Sequence, residues 1–258
     1  QAVSVCPKYL CMTATPAAAP SQFLAREWLK GTVQFPVDSK DDVLVASASM
    51  VAGRIDLNIQ EEDVDLQIAL SQESYRAHLE ALRQPGGWAR AASIAREATF
   101  EQMGRIAFDE AVRDRAANPG GGALVFMDNE SEADRISDAN NRLAAGAFRV
   151  ARRRPGDASN TDTTIGIVVT TMNDTAGYNL QRLGSIVKGV YASNAARRHQ
   201  LRGRIKRIGQ VRSTVRYLTA VPANTILSLL YDRHNAVDAV NASLEELARV
   251  FVLQQLPE

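Results

Sequence analysis

The run from Gln200 to Gln210, Gln-Leu-Arg-Gly-Arg-Ile-Lys-Arg-Ile-Gly-Gln, carries the residues of this chain best suited to handling a phosphate group. Arg204 and Arg207 stand three positions apart, and residues i and i+3 share a face of an α-helix, so both guanidinium groups can aim at one anion. Gln200 lies one turn earlier on the same side, where it can orient the arginines or touch a nucleotide. The competing reading is an ordinary one: arginines on a helix are most often solvated, and an amide there can simply cap or hydrate the backbone. The surrounding frame has to decide between them.

Other residues offer weaker signals. Thr170 and Thr171 end an apolar run, Gly177 sits in a polar turn, and Thr13 and Thr15 flank Ala14 in Leu-Cys-Met-Thr-Ala-Thr-Pro. Threonine at a strand end is common through β propensity, and a turn glycine needs only its freedom at positive φ. His199 and His234 have no second ligand at metal spacing, and Cys6 and Cys11 are too few for a disulfide framework and lack zinc partners. Nowhere does Gly-x-x-x-x-Gly-Lys-Ser/Thr occur, nor an early acidic Asp-Glu-x-His. Those two elements cradle phosphates and hold magnesium in nucleotide-driven motors.

The frame around the arginines is similar to motif VI of the Swi/Snf-type ATPases of helicase superfamily two, Gln-x-x-Gly-Arg-x-x-Arg-Ile-Gly-Gln. Gly177-Tyr178-Asn179-Leu180-Gln181 resembles motif V, and Thr13-Ala14-Thr15-Pro16 resembles motif III, which closes the first RecA-like lobe in that family. Ala123-Leu124-Val125-Phe126 resembles the motif IV strand. The resemblance implies that Arg207 is an arginine finger reaching the transferred γ-phosphoryl group, with Arg204 on the same phosphates, and that Gln200 and Gly177 belong to the nucleotide side. It also implies that Thr170, Thr171 and Asn194 approach a DNA backbone, and that Thr13 and Thr15 couple nucleotide state to nucleic acid. ATP and Mg2+ would be bound mainly by the missing first lobe. Double-stranded DNA, that first lobe and a protein–DNA complex are the implied partners. The pattern departs from the family at Asp174-Thr175, at Val190 to Ala195, where only Asn194 is kept, and at Met127-Asp128, which places a negative charge near a phosphate-facing surface.

The elements that must position these residues follow from periodicity. Alternating Val64, Leu66, Ile68 and Leu70 predict a strand, Ser71 caps a helix over Gln72 to Leu82, and Gln84-Pro85-Gly86-Gly87 stops it. Beyond it the pattern predicts a helix from about Ala91 to Ala117, a strand Ala123 to Phe126, a helix Ser131 to Leu143, strands Ile165 to Thr170 and Ser185 to Val190, the helix of motif VI, a strand Thr214 to Thr219 and helices after Asn224. Strands alternating with helices predict an α/β fold with a mostly parallel sheet covered by helices on both faces. With the resemblance, this is a RecA-like lobe preceded by the tail of a first one. Residues 1–30 would end the first lobe, 31–95 connect the lobes and begin the second, and 96–258 form the second lobe.

At 258 residues, 45% hydrophobic and 23% charged, with a formal net charge of +1, the composition is that of a globular domain and gives no overall electrostatic case for nucleic acid. Distribution is more informative: Arg149 to Arg154 and Arg197 to Arg216 are basic, while acids gather in Asp56 to Asp65 and Asp128 to Asp138. A local basic face binds phosphate despite overall neutrality. No apolar run reaches the roughly 20 residues of a membrane span, and the start lacks a basic signal-peptide head, which predicts an intracellular protein without a membrane partner. A first residue other than Met suggests a processed or truncated piece. Two readings result: the C-terminal lobe of a DNA-dependent ATPase and translocase, inactive alone, or a noncatalytic nucleic-acid-binding or structural interaction module derived from such a lobe.

Overall fold

The structure, a computed structural model, describes residues 58–154, 162–171, 180–190, 201–206, 209–236, 238, 239 and 243. Almost all of them belong to one compact unit made of residues 57–192 and 201–232. Its elements in chain order are β1 (Gln60–Ile68), α1 (Gln72–Arg83), α2 (Trp88–Glu97), α3 (Phe100–Ala117), β2 (Ala123–Met127), α4 (Glu130–Leu143), β3 (Arg149–Arg152), β4 (Ile165–Thr171), β5 (Ser185–Gly189) and β6 (Thr214–Pro222). A further helix starts at residue 226.

The strands form a six-stranded sheet in the order β1-β6-β5-β2-β4-β3. Every pairing is parallel, from Gln60 opposite Thr214 at one edge to Arg152 opposite Val169 at the other. The α/β class expected from the sequence is therefore present, and all strands end on the same side. Strands buried on both faces read as continuous apolar runs, which is why all of Ala-Leu-Val-Phe-Met in β2 is buried. Alternation sorts them: Ala123, Val125 and Met127 pack with Met103 and Ala107 of α3 and Ile136 of α4. Leu124 and Phe126 face the other way, onto Leu180, Leu183, Leu201 and Ile205. The first part of the arginine run thus covers the sheet face opposite α3 and α4.

Several boundaries differ from the sequence expectation. The helix predicted up to Ala117 is two helices, α2 and α3, because the Thr99 hydroxyl donates to the Arg96 carbonyl at 2.7 Å and turns the chain. The strand β3 was not expected, since Arg-Val-Ala-Arg is short and polar at both ends. β6 runs to Pro222, past the expected end at Thr219. Ser71 caps α1 as expected, its Oγ accepting from the Ser74 N–H at 3.1 Å. The strand β1, in the stretch assigned by sequence to the connector and the start of the second lobe, is hydrogen-bonded along its length to β6. The residues assigned by sequence to the end of the first lobe, 1–30, and the first part of the connector lie outside the described residues. Among the described residues, no helix is long and apolar enough to cross a membrane.

Candidate nucleotide and phosphate site

Of the arginine run, residues 201–206, Gly209 and Gln210 are described. The sequence predicts a helix carrying Arg204, but only Leu201 and Arg202 are helical and the chain turns over Gly203 to Ile205. The Arg204 N–H donates to the Leu201 carbonyl at 3.1 Å and the Ile205 N–H to the Arg202 carbonyl at 3.2 Å, both i to i+3 bonds that tighten the segment. Burial of Leu201 and Ile205 against β6 holds it. Arg204 sits half-buried in it. Arg207 lies outside the described residues, as do Gln200, Gly177, Asn194, Thr13 and Thr15.

Both flanks of this turn are tied down. On one side Arg202 stacks 4.3 Å over the Tyr217 ring and bonds Glu61 at 2.8 Å and Asp63, while the Lys206 ammonium donates to Glu61 at 2.5 Å. Burial works to lower the Arg202 pKa, but the Asp63 and Glu61 contacts outweigh it and raise it. Burial likewise pushes Glu61 up, yet Lys206 and Arg202 hold it below the ordinary carboxylate range. Burial also raises the Tyr217 hydroxyl, which stays protonated.

On the other side Gly209 and Gln210, the described part of the Arg-Ile-Gly-Gln ending, act mechanically. Gly209 has φ +93°, a backbone conformation that favours glycine, and a Cβ there would stand 2.6 Å from the Gln181 amide nitrogen, which would have to move aside. The Gln210 amide donates to the Ile205 carbonyl at 3.0 Å and to the Leu183 carbonyl at 3.1 Å. Its oxygen accepts from the Arg212 N–H at 3.2 Å and from Arg212 Nη1 at 3.0 Å.

Arg212 is itself held by Asp114 of α3 through two parallel bonds of 2.6 Å, with both side chains 8% exposed. The second Asp114 oxygen also accepts from the Gly122 N–H at 2.6 Å. The Gly-rich turn at 120–122 is therefore shaped around a carboxylate: a Cβ at Gly121 would meet that oxygen at 2.4 Å, and one at Gly122 would meet the Gly166 carbonyl at 2.0 Å. Sequence reading gave none of Asp114, Gln181, Gly209, Gln210 and Arg212 a role. The Arg-Ile-Gly-Gln ending was visible as a motif, but the Asp114 partner is 98 residues from Arg212.

The two basic clusters are not bare. Arg202 and Lys206 pair with Glu61 and Asp63, Arg212 with Asp114, and Arg216 with Glu62 and Glu110. Arg149 pairs with Asp162, Arg152 with Glu130 and Asp134, and Arg154 with Asp134. The acidic runs noted in the sequence are thus largely the partners of the basic ones, and the expected basic face is cut back accordingly. Thr170 and Thr171 end β4 at the carboxyl side of the sheet, where ligands of parallel sheets bind, but both are 1% exposed. Their hydroxyls point inward, Thr170 to the Thr171 carbonyl at 3.3 Å and Thr171 to Glu130 at 3.1 Å. A backbone phosphate reaches them only if Glu130 moves. Among the described residues no group of three His, Cys, Asp or Glu is arranged to hold a metal ion.

No family model matches the chain, and no curated protein matches it. Among solved structures, a crystal structure of the C-terminal part of the Fun30 ATPase domain superposes with a TM-score of 0.46 at 10% identity, covering 78% of this chain and 100% of that one.

Proposed function

We propose that this chain forms the second lobe of a DNA-dependent ATPase and translocase resembling the Swi/Snf-type motors. In this reading ATP and Mg2+ are held mainly by a first lobe, and closure of the cleft brings Arg207, with Arg204 beside it, to the γ-phosphoryl group. Fixed positive charge at that point stabilises the charge developing on the transferred oxygens without reorganising at the moment of reaction. Gln200 and Gly177 are assigned to the nucleotide side, Thr170, Thr171 and Asn194 to duplex DNA, and Thr13 and Thr15 to coupling between the two.

The supporting observation is the pair of anchors around Arg207. The chain is fixed at Lys206 by Glu61, and again at Gln210 by the Ile205 and Leu183 carbonyls and by Arg212. Gln210, which belongs to the frame, and Leu201, Arg202, Ile205 and Lys206, which stand between its specified residues, hold the described part of the segment against the rest of the domain, and an anchored segment is what a finger needs and a solvated arginine does not.

The test is duplex-stimulated ATP turnover in a polypeptide that joins this chain to a first lobe, comparing wild type with Arg207→Ala. Loss of an arginine finger lowers turnover by at least about 10³-fold, while duplex affinity stays within about twofold. Undiminished turnover in the variant removes Arg207 from the role.

A noncatalytic interaction module is the second reading, and one observation favours it: the arginines and lysine named above are already neutralised by Glu61, Glu62, Asp63, Asp114, Asp134 and Asp162. Under that reading the joined polypeptide does not hydrolyse ATP, whether or not it binds duplex.

A further inference from the structure

At the carboxyl edge of the sheet, three donors from two strands and their continuation converge on two carboxylates of one helix. Arg152 Nε donates to Asp134 Oδ1 at 3.0 Å while its Nη2 pairs with Glu130. Arg154 Nη2 spans both Asp134 oxygens at 3.1 and 3.2 Å, and the Thr171 hydroxyl donates to Glu130 Oε1 at 3.1 Å. Two forked guanidinium groups and a hydroxyl around a cluster of anionic oxygens make a donor set that suits a phosphodiester as well as a carboxylate.

The donors and the acceptors differ in exposure. The Arg152 side chain is 11% exposed and Thr171 is 1% exposed, whereas the Glu130 and Asp134 side chains are 50% and 45% exposed and the outer donor, Arg154, is 60% exposed. The carboxylates can swing into solvent while Arg152 and Thr171 stay in place. Glu130 is the first residue of α4, so after swinging out it keeps the favourable field of the helix N-terminus, which lowers the cost of opening. β3 is the edge strand of the sheet.

We infer that the Arg152, Arg154 and Thr171 cluster is a phosphodiester-binding site that Glu130 and Asp134 keep closed by standing in for the phosphate, so that duplex nucleic acid must displace two of the chain's own carboxylates. The inference rests on the nucleic-acid part of the proposed function and adds to it an internal block. It also accounts for the Thr171 hydroxyl being held by Glu130.

The experiment is fluorescence anisotropy of a labelled duplex of about 20 base pairs with the chain, over a salt series. It compares wild type with Glu130→Gln/Asp134→Asn, with Asp134→Asn alone, and with Asp162→Asn, which removes one charge at the opposite end of β4. The double variant is expected to bind at least about tenfold tighter at low salt, with a log K against log salt slope steeper by about 1 to 2, since each neutralised phosphate contributes about 0.9. Asp134→Asn, which leaves the Glu130 contacts intact and reads the effect even if the double variant folds poorly, is expected to fall between. Asp162→Asn is expected to change affinity by less than about threefold, and a gain equal to that of Asp134→Asn would reduce the effect to net charge and overturn the inference. Wild type binding with no gain in the Glu130 and Asp134 variants overturns the block and leaves the nucleic-acid reading standing. Absence of duplex binding in every protein overturns both.

Discussion

Asp114→Ala is the perturbation whose size follows most directly from the structure. The Asp114 carboxylate receives two Arg212 bonds of 2.6 Å, the Gly122 N–H at 2.6 Å and the Asn118 amide at 3.2 Å, with both charged side chains 8% exposed. Removing it strands a buried guanidinium, a loss of about 3–5 kcal/mol. It also leaves the Gly122 N–H without its acceptor, a smaller loss that relaxation and water entry partly offset. At about 2–4 °C per kcal/mol for a domain of this size, the unfolding temperature drops by roughly 6–20 °C. Far-UV circular dichroism in urea and on heating measures both quantities. Asp114→Asn, which retains an oxygen for the Gly122 N–H, is expected to lose less. Asp114→Ala combined with Arg212→Met is expected to be more stable than Asp114→Ala alone, because no charge is left buried. A loss below about 1 kcal/mol for Asp114→Ala would refute the view that this pair holds α3, the Gly-rich turn and the Gln210 clasp together.

Two further expectations concern the turn and the sheet edge. Gly209→Ala puts a side chain on a backbone at φ +93°, so it costs about 1–2 kcal/mol in urea unfolding; a neutral change would mean that this turn does not hold the left-handed conformation. The Glu62 and Glu61 carboxyls titrate below the ordinary 4.5 in the folded chain, Glu62 chiefly through Arg216, and Glu61 through Lys206 and Arg202, which outweigh burial. A lowered folded pKa contributes stability that is complete above the unfolded value and is lost as pH falls through the folded one. Urea midpoints are therefore expected to fall below about pH 4.5 more steeply in wild type than in Glu61→Gln/Glu62→Gln, and parallel curves would refute the pairing.

Periodicity exposed β2, β4 and β5 because a parallel strand covered on both faces is a plain apolar run, as in Ile-Gly-Ile-Val-Val-Thr-Thr. It missed β3, whose arginines read as a surface cluster but whose backbone completes the sheet beside β4. It merged α2 and α3 because the break at Ala98 and Thr99 is made by a side-chain bond to Arg96 and not by Gly or Pro. The arginine run was legible as a motif, yet its conformation was not. A helix was expected through Arg204; among the described residues Leu201 and Arg202 are helical, and the chain then turns, closed by two i to i+3 bonds and by the Lys206 N–H on the Arg202 carbonyl at 3.1 Å. The charge pattern misled for a different reason. Glu61 and Arg202 are 141 positions apart, and only the pairing of β1 with β6 brings acidic and basic runs together.

The central claim is that the arginine segment completes an ATP site, and its most direct test is the affinity of the polypeptide joined to a first lobe for ADP with a phosphoryl-transfer analogue such as aluminium fluoride. With Arg207 acting at the transferred group, Arg207→Ala is expected to weaken binding of the ADP and fluoride pair by at least about 10²-fold while leaving ADP alone within about twofold. Equal affinity of wild type and variant for the analogue would contradict the motor reading and give the lead to the noncatalytic module.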